Sequence, residues 1–427
     1  MRRAGFSPTA HDLSQGPLDP ARLAGARLVL LSVPMHTALR LALAALPDIR
    51  AAAPRARLCF HGLYAALNQD LLFARGAHAV ASGEAEETLV ALAQALRAGT
   101  PLEPIPGLSL PGRPAEPVLR KLAFAPPDRS GLPGPYARLR LPSGEERPAG
   151  HLEASRGCKH LCAHCPVTPV YQGRFFVVPE EIVLADAAAQ IEAGARHLTF
   201  GDPDFWNGPG HARAIVSELH RRFPEVSYDV TIKVEHLLRH AELLPELAKS
   251  GCAFVTSAFE STSDRVLELL GKGHSAADLG RALDLAESAG LPLRPTFVAF
   301  TPWTSAEDYA AMLAFVERGD LIQSLDPLQL ALRLLVPPGS ALLAQEIPGL
   351  GPLDPETLSH DWRHPDGRMD ALQRRLFGEV ERGGSPEALF ERAWALAREE
   401  LGVVRPAIPP RHRRRRNAPS LTESWFC

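Results

Sequence analysis

The chain reads as an α/β protein: two successive strand–helix alternations followed by a helical end. Three observations lead there. Short apolar runs of strand length recur between segments of helical spacing, once over residues 27–100 and again from 150 onward. A stretch rich in Pro, Gly and charge over 101–150 separates the two (Pro106-Gly107, Pro111-Gly112, Pro133-Gly134-Pro135, Pro142-Ser143-Gly144). Residues 355–403 then show helical spacing without intervening strands. Strands alternating with helices predict parallel sheets with helices on their faces, and ligands of such folds sit at the carboxyl ends of the strands.

The first alternation begins with a strand at 27–33 that ends on Pro34, followed by a helix at 37–46. A second strand at 57–60 turns through His61-Gly62 into a helix at 63–73, and a third at 77–81 turns through Ser82-Gly83-Glu84 into a helix running to Arg97. The second alternation has strands at 150–155, 197–200, 227–231, 254–258, 295–300 and 328–335. Its helices open near Pro179, Gly210, Leu243, Asp264, Ser275 and Ser305. Two C-terminal helices are expected at 368–382 and 386–401.

Hydrophobic content of 45% over 427 residues supports sizeable cores in two or three domains. A net charge of −3 argues against a general nucleic-acid-binding surface. The apolar stretch 28–46 is broken by Pro34, His36 and Arg40 and is not a membrane span. Arg2 and Arg3 precede no apolar run, so no secretory signal is read, and six Cys in such a chain suit a reducing compartment. The expectation is a cytoplasmic protein with no membrane partner.

The chemistry is concentrated in Cys158-Lys159-His160-Leu161-Cys162-Ala163-His164-Cys165, just after a strand end. Three thiolates within eight residues can face one point, and a thiolate triad leaves one iron of a cubic iron–sulfur cluster without a protein ligand. Three Cys with His160 or His164 also suit tetrahedral zinc. Structural zinc sites usually draw ligand pairs from separated segments, however, and no second pair with that spacing is present. A disulfide reading is weaker still.

In this motif and its setting the chain resembles the radical S-adenosylmethionine superfamily. The resemblance implies a [4Fe–4S] cluster on Cys158, Cys162 and Cys165, whose open iron chelates S-adenosylmethionine. Reductive cleavage then yields a 5′-deoxyadenosyl radical. His164 stands where the family often has an aromatic residue. The family also implies a partial (β/α)6 barrel of TIM type and an electron donor such as flavodoxin or ferredoxin.

Further site residues come with that resemblance. Gly201 with Asp202 or Asp204, after the second barrel strand, would accept from the methionine amine; an acidic helix cap is the plainer alternative. Lys233 and Glu235 share a face and either contact ligand or pair with each other. Glu260 is expected to face ligand and Asp264 to cap the next helix, while Thr301-Pro302-Trp303-Thr304-Ser305 shapes the substrate side of the cavity. Arg333 needs an anionic partner, either the S-adenosylmethionine carboxylate or Glu260.

Residues 25–105 resemble the cobalamin-binding-type, Rossmann-like domain that precedes many such barrels, in the Pro-ended first strand, His61-Gly62-Leu63-Tyr64, Gly76-Ala77-His78-Ala79 and Ser82-Gly83-Glu84-Ala85-Glu86. The Asp-x-His-x-x-Gly motif of cobalamin binders is missing, and His36 is a lone His in the corresponding loop. Cobalamin therefore stays open as a further cofactor. The chain divides into an arm (1–24), this domain (25–105), a linker (106–147), the barrel (148–345), a helical region (346–405) and a basic tail (406–427). In that tail Arg411-His412-Arg413-Arg414-Arg415-Arg416 either holds a polyanion or is a solvated run. The end at Trp425-Phe426-Cys427 resembles the group whose tails read Cys-Sec-Ala-Glu-Pro or Cys-Cys-Ala-Glu-Pro, which implies a selenocysteine codon after Cys427.

The expected activity is that of a radical S-adenosylmethionine enzyme acting on an unidentified small molecule or peptide. A cobalamin-dependent radical methyltransferase is the alternative within enzymes, and a metal-binding or redox-sensing protein the alternative outside them.

Overall fold

The computed structural model describes residues 1–129, 131, 132, 134, 137–409 and 414–422. The N-terminal sheet pairs β1 (Leu28–Ser32), β2 (Arg57–His61) and β3 (Ala79–Ala81) in parallel, and β4 (Leu108–Ser109) antiparallel to β3. Its period-2 pattern splits the core. Leu58 and Phe60 of β2 pack with Leu39, Leu46 and Ile49 of helix α1 (His36–Ala52), whereas Cys59 packs on the other face with Leu89 and Leu92. The expected helix over 63–73 is two short helices, α2 (Leu63–Leu67) and α3 (Gln69–Ala74), broken at Asn68. Leu89 and Leu92 belong to α4 (Glu86–Ala98), which ends on Gly99 in the left-handed region.

The stretch expected as a linker is largely built into the fold. β4 lies within it, Val118 pairs with Gly83, and Arg129 forms two 2.8 Å bonds to buried Asp186. Its end forms a hairpin of β5 (Ala137–Arg140) and β6 (Glu146–Leu152). A short antiparallel pair follows, β7 (Ser155–Gly157) with β8 (Phe175–Val177), enclosing helix α5 (Val167–Tyr171). Parallel strands β9 (His197–Phe200), β10 (Ser227–Thr231), β11 (Cys252–Glu260) and β12 (Leu293–Phe297) continue from β6 in the order β12-β11-β10-β9-β6. Helices α6 (Glu180–Glu192), α7 (Pro209–Arg222), α8 (Val234–Arg239), α9 (Leu244–Lys249), α10 (Asp264–Leu269), α11 (Ala276–Ser288) and α12 (Ala306–Arg318) connect and cover them. The result is a curled, open half-barrel around one large apolar core.

The sixth barrel strand, expected at 328–335, is not a strand. Pro327 opens a 3-10 turn over Pro327–Leu330, which Asp326 caps by accepting from Leu328 N at 3.0 Å. Only a parallel bridge between Phe300 and Arg333 continues the sheet there. The C-terminal region is also more than helical. A hairpin of β13 (Leu350–Asp354) and β14 (Ser359–Trp362) precedes helices α13 (Gly367–Arg382) and α14 (Pro386–Leu401). Its Leu358 is 1% exposed within the N-terminal core, so this hairpin ties both ends of the chain together.

The basic run is not uniformly solvated. Arg415 has a nearly buried guanidinium paired with Asp284 at 2.8 Å and Glu287 at 2.9 Å, and it donates to Leu283 O. A last strand, β15 (Ser420–Leu421), then pairs antiparallel with β5 at the sheet edge. Residues 411–413 and Trp425-Phe426-Cys427 lie outside the described residues. Among the described residues no helix is long and apolar enough to cross a membrane. Arg415→Ala should therefore destabilise the chain by about 1–3 kcal/mol, read as a lower Tm. Arg414→Ala should leave Tm nearly unchanged.

Candidate functional site

Gly157 sets up the cysteine loop. Its φ is +76°, and a Cβ there would lie 2.4 Å from both Arg174 O and the Tyr171 ring, so no larger residue fits the turn. The chain then passes through Cys158, Cys162 and Cys165 and returns through α5 to β8. Cys158 and Cys162 are buried and Cys165 is half-buried; all three are free thiols. Burial pushes the Cys158 and Cys165 thiols up, Cys165 to about 12. Neighbouring thiols add to that rise: Cys162 acts on Cys158, and both Cys162 and Cys158 act on Cys165. Buried thiols whose neighbours further oppose their ionisation suit a cationic iron–sulfur group, which would stabilise them as thiolates. Asn207 Oδ1 lies 3.7 Å from Cys158 Sγ and accepts from Lys159 N at 3.3 Å.

Two carboxylates clamp the loop from opposite sides. Asp202, 2% exposed, accepts from Ala154 N at 2.9 Å and Ser155 Oγ at 2.6 Å, directly before β7. Burial pushes its pKa up to about 7 against those two bonds. Both oxygens hold the strand end. Gly201 likewise has a packing reason: a Cβ there would meet His151 Nε2 at 2.1 Å. From the other side Glu84, 1% exposed, accepts from Tyr171 Oη at 2.8 Å and pairs with Arg156 at 3.2 Å. Arg156 and Tyr171 flank the cysteines in sequence, so this N-terminal carboxylate grips both ends of the loop. Sequence reasoning missed that role, although it singled out the Ser82-Gly83-Glu84 turn.

Glu260 ends β11 with φ +63°, beside a register shift in the sheet, an uncommon conformation for a non-glycine residue. Its carboxylate lies 3.2 Å from both Lys272 Nζ and His164 Nε2. Burial alone would raise its pKa; Lys272 and His164 overcome that and hold it well below the usual carboxylate range. The Lys272 ammonium also acts on Cys162 and Cys165, so the cation sits beside the thiols. Asp264 accepts from Ala276 N at the start of α11, and does not cap its own helix as expected.

Lys233, 8% exposed, lies 3.2 Å from Glu235 Oε2 and from His160 Nδ1. Asp204 caps the 3-10 turn Phe205–Asn207 and lies 3.1 Å from His160 Nε2 and 2.7 Å from His236 Nδ1. Arg333 does not pair with Glu260. It pairs with Asp370 at 2.7 Å, donates to Trp362 O and stacks 3.5 Å over the Trp362 ring. His36 donates from Nε2 to Thr357 O at 2.7 Å and meets the Tyr64 ring edge-on.

Residues 152–315 match the sequence model of the radical SAM superfamily. The matched segment runs from the end of β6 into α12 and contains the cysteine loop. The likeness extends beyond that segment in fold. The cobalamin-dependent S-adenosylmethionine radical enzyme OxsB, solved with aqua-cobalamin, superposes with a TM-score of 0.65 at 15% identity, over 87% of this chain and 63% of that one. The radical S-adenosylmethionine methyltransferase TsrM of Kitasatospora setae, solved with cobalamin and a [4Fe-4S] cluster, gives 0.62 at 17% identity, over 92% and 83%. In sequence, the ribosomal protein uS12 methylthiotransferase RimO of Nitrosomonas europaea is 27% identical over 207 residues, 44% of this chain and 46% of the relative. A methyltransferase of Pyrococcus horikoshii is 25% identical over 251 residues, 57% and 53%. The chain spans about half the length of the curated relatives it matches.

Within the matched segment the Glu260–Lys272 pair is buried, and breaking one side leaves an uncompensated charge. Lys272→Met should cost about 3–5 kcal/mol. Adding Glu260→Leu should restore most of the lost Tm, a non-additivity that a thermal double-mutant cycle measures.

Proposed function

We propose that the chain is a radical S-adenosylmethionine enzyme in which Cys158, Cys162 and Cys165 hold a [4Fe–4S] cluster. The observation that carries this reading is the set of three free thiols held in one clamped loop, within the segment that matches the superfamily. When bound, such a cluster supplies the electron that cleaves the sulfonium of S-adenosylmethionine.

The chain's own residues do the positioning. Gly157, Asp202 and Glu84 fix the loop's path, and Asn207 sits against Cys158. Lys272, held by Glu260, offers a buried cation beside the thiols; we assign it to the carboxylate of S-adenosylmethionine and Glu260 to its amine or ribose hydroxyls. Lys233 is the second cation at this end of the sheet, already tied to Glu235. Arg333 is left out of this set because Asp370 and Trp362 hold it.

Replacing Cys158, Cys162 and Cys165 together by Ala should abolish iron binding after anaerobic reconstitution and, with it, release of 5′-deoxyadenosine under a strong reductant. Iron at the parent level in that variant overturns the assignment.

A second reading is favoured by the fold likeness to two cobalamin-bound enzymes over 87% and 92% of this chain: that it is a cobalamin-dependent methyltransferase. With His36 engaged by Thr357, cobalamin would bind without an imidazole ligand from that loop. Cobalamin co-purifying with the full chain, seen by its visible spectrum, supports this; none retained after incubation with hydroxocobalamin and gel filtration counts against it. Membership of the selenocysteine-tail group is a further proposal resting on Trp425-Phe426-Cys427. The codons after Cys427 test it, since anything but UGA followed by Ala-Glu-Pro excludes it.

A further inference from the structure

Beside the cysteines lies a second convergence of metal-binding groups, and it contains no sulfur. His160 comes from the loop itself, Asp204 from the turn after β9, and His236 from α8. One donor atom from each lies within 4.8 Å of the other two. Asp204 and His236 are fully buried and His160 nearly so. We infer that these three residues bind one divalent first-row cation of the zinc(II) or iron(II) class, which a donor set of two imidazoles and one carboxylate suits.

His236 points most directly to a cation. Its ring is 0% exposed, and neither nitrogen makes a hydrogen bond. Nδ1 lies only 2.7 Å from Asp204 Oδ2, yet without the alignment a hydrogen bond needs. A buried imidazole that approaches a carboxylate without bonding to it leaves a lone pair to satisfy, and a shared cation satisfies both groups. Donors bound at about 2.1 Å around one ion lie roughly 3 Å apart, so small side-chain shifts close the site.

The surroundings supply the outer contacts. Without a cation, Lys233 Nζ donates to His160 Nδ1, which leaves the ring hydrogen on Nε2, toward Asp204. On coordination Nε2 becomes the ligand atom and the hydrogen moves to Nδ1. Glu235 Oε2 lies 3.8 Å from that nitrogen, beyond hydrogen-bond reach, and Lys233 holds that oxygen at 3.2 Å. A metal-bound imidazole whose other nitrogen faces a carboxylate is the usual arrangement. The site holds whether or not the cysteines carry iron.

The test uses the full chain with Cys158, Cys162 and Cys165 replaced by Ala, its fold checked by circular dichroism, so that the sulfurs of this loop cannot bind. Titration with cobalt(II) should give visible d–d bands that saturate at one equivalent and carry no sulfur charge-transfer absorption. In that background His160→Gln and His236→Gln should each weaken cobalt(II) binding at least about tenfold, with Tm unchanged for His160→Gln. A folded chain that binds no cobalt(II), or that binds it equally tightly after His160→Gln, overturns the proposal. Should the triple-Ala chain not fold, the cluster-loaded protein is titrated with zinc(II) and its zinc content compared with that of His160→Gln; one zinc in the parent and none in the variant supports the site, and equal zinc in both overturns it.

Discussion

Three sulfur atoms share one short loop, and burial of Cys158 and Cys165 disfavours their ionisation. The burial that raises the Cys165 thiol to about 12 is the energetic expression of this. The loop must be held from outside, and the fold supplies three restraints. Gly157 takes a backbone conformation with no room for a side chain. Asp202 ties the strand end before the loop, and Glu84 reaches across from the N-terminal sheet to Arg156 and Tyr171. Much of the remaining architecture serves to bring those carboxylates to the loop from opposite directions.

At this end of the half-barrel two buried carboxylates are each surrounded by nitrogen. Glu260 has Lys272 and His164; Asp204 has His160 and His236. In a low-dielectric cleft an unpaired carboxylate would take up a proton, and pairing keeps both as anions. Lys272 pairs with Glu260 on one side while its charge acts on the thiols on the other. His160 and His164 lie within the cysteine motif, so one eight-residue loop supplies sulfur toward one centre and imidazole toward two carboxylates.

The chain ends are structural participants. Leu358 inserts into the N-terminal core, the β13–β14 hairpin holds Arg333 over Trp362, and Arg415 locks the final strand against α11. These contacts span long sequence separations and join the N-terminal sheet, half-barrel and C-terminal region. The Glu84 grip on the cysteine loop depends on that joint.

The sequence by itself determined the local features. Periodicity marked β1 to β3 and the five parallel barrel strands, because apolar runs of strand length bounded by Pro, Gly and polar turns carry their own signal. The Cys158-Cys162-Cys165 spacing marked the candidate centre, because three thiols within eight residues have few other uses. Only the tertiary structure decided the partners. Arg333 was legible as a buried cation in need of an anion, but Asp370 is 37 residues away in sequence and supplied by a helix whose docking no local pattern encodes. Asp202 was legible as an acidic group after the second barrel strand, but the amide and hydroxyl it accepts from come from 48 and 47 residues earlier. Pro327 and a capping Asp326 converted the sixth expected strand into a turn despite its apolar run. Spacing along the chain fixes which groups are available; burial and long-range packing fix which of them meet, because the energy of a buried charge depends on its neighbours in space.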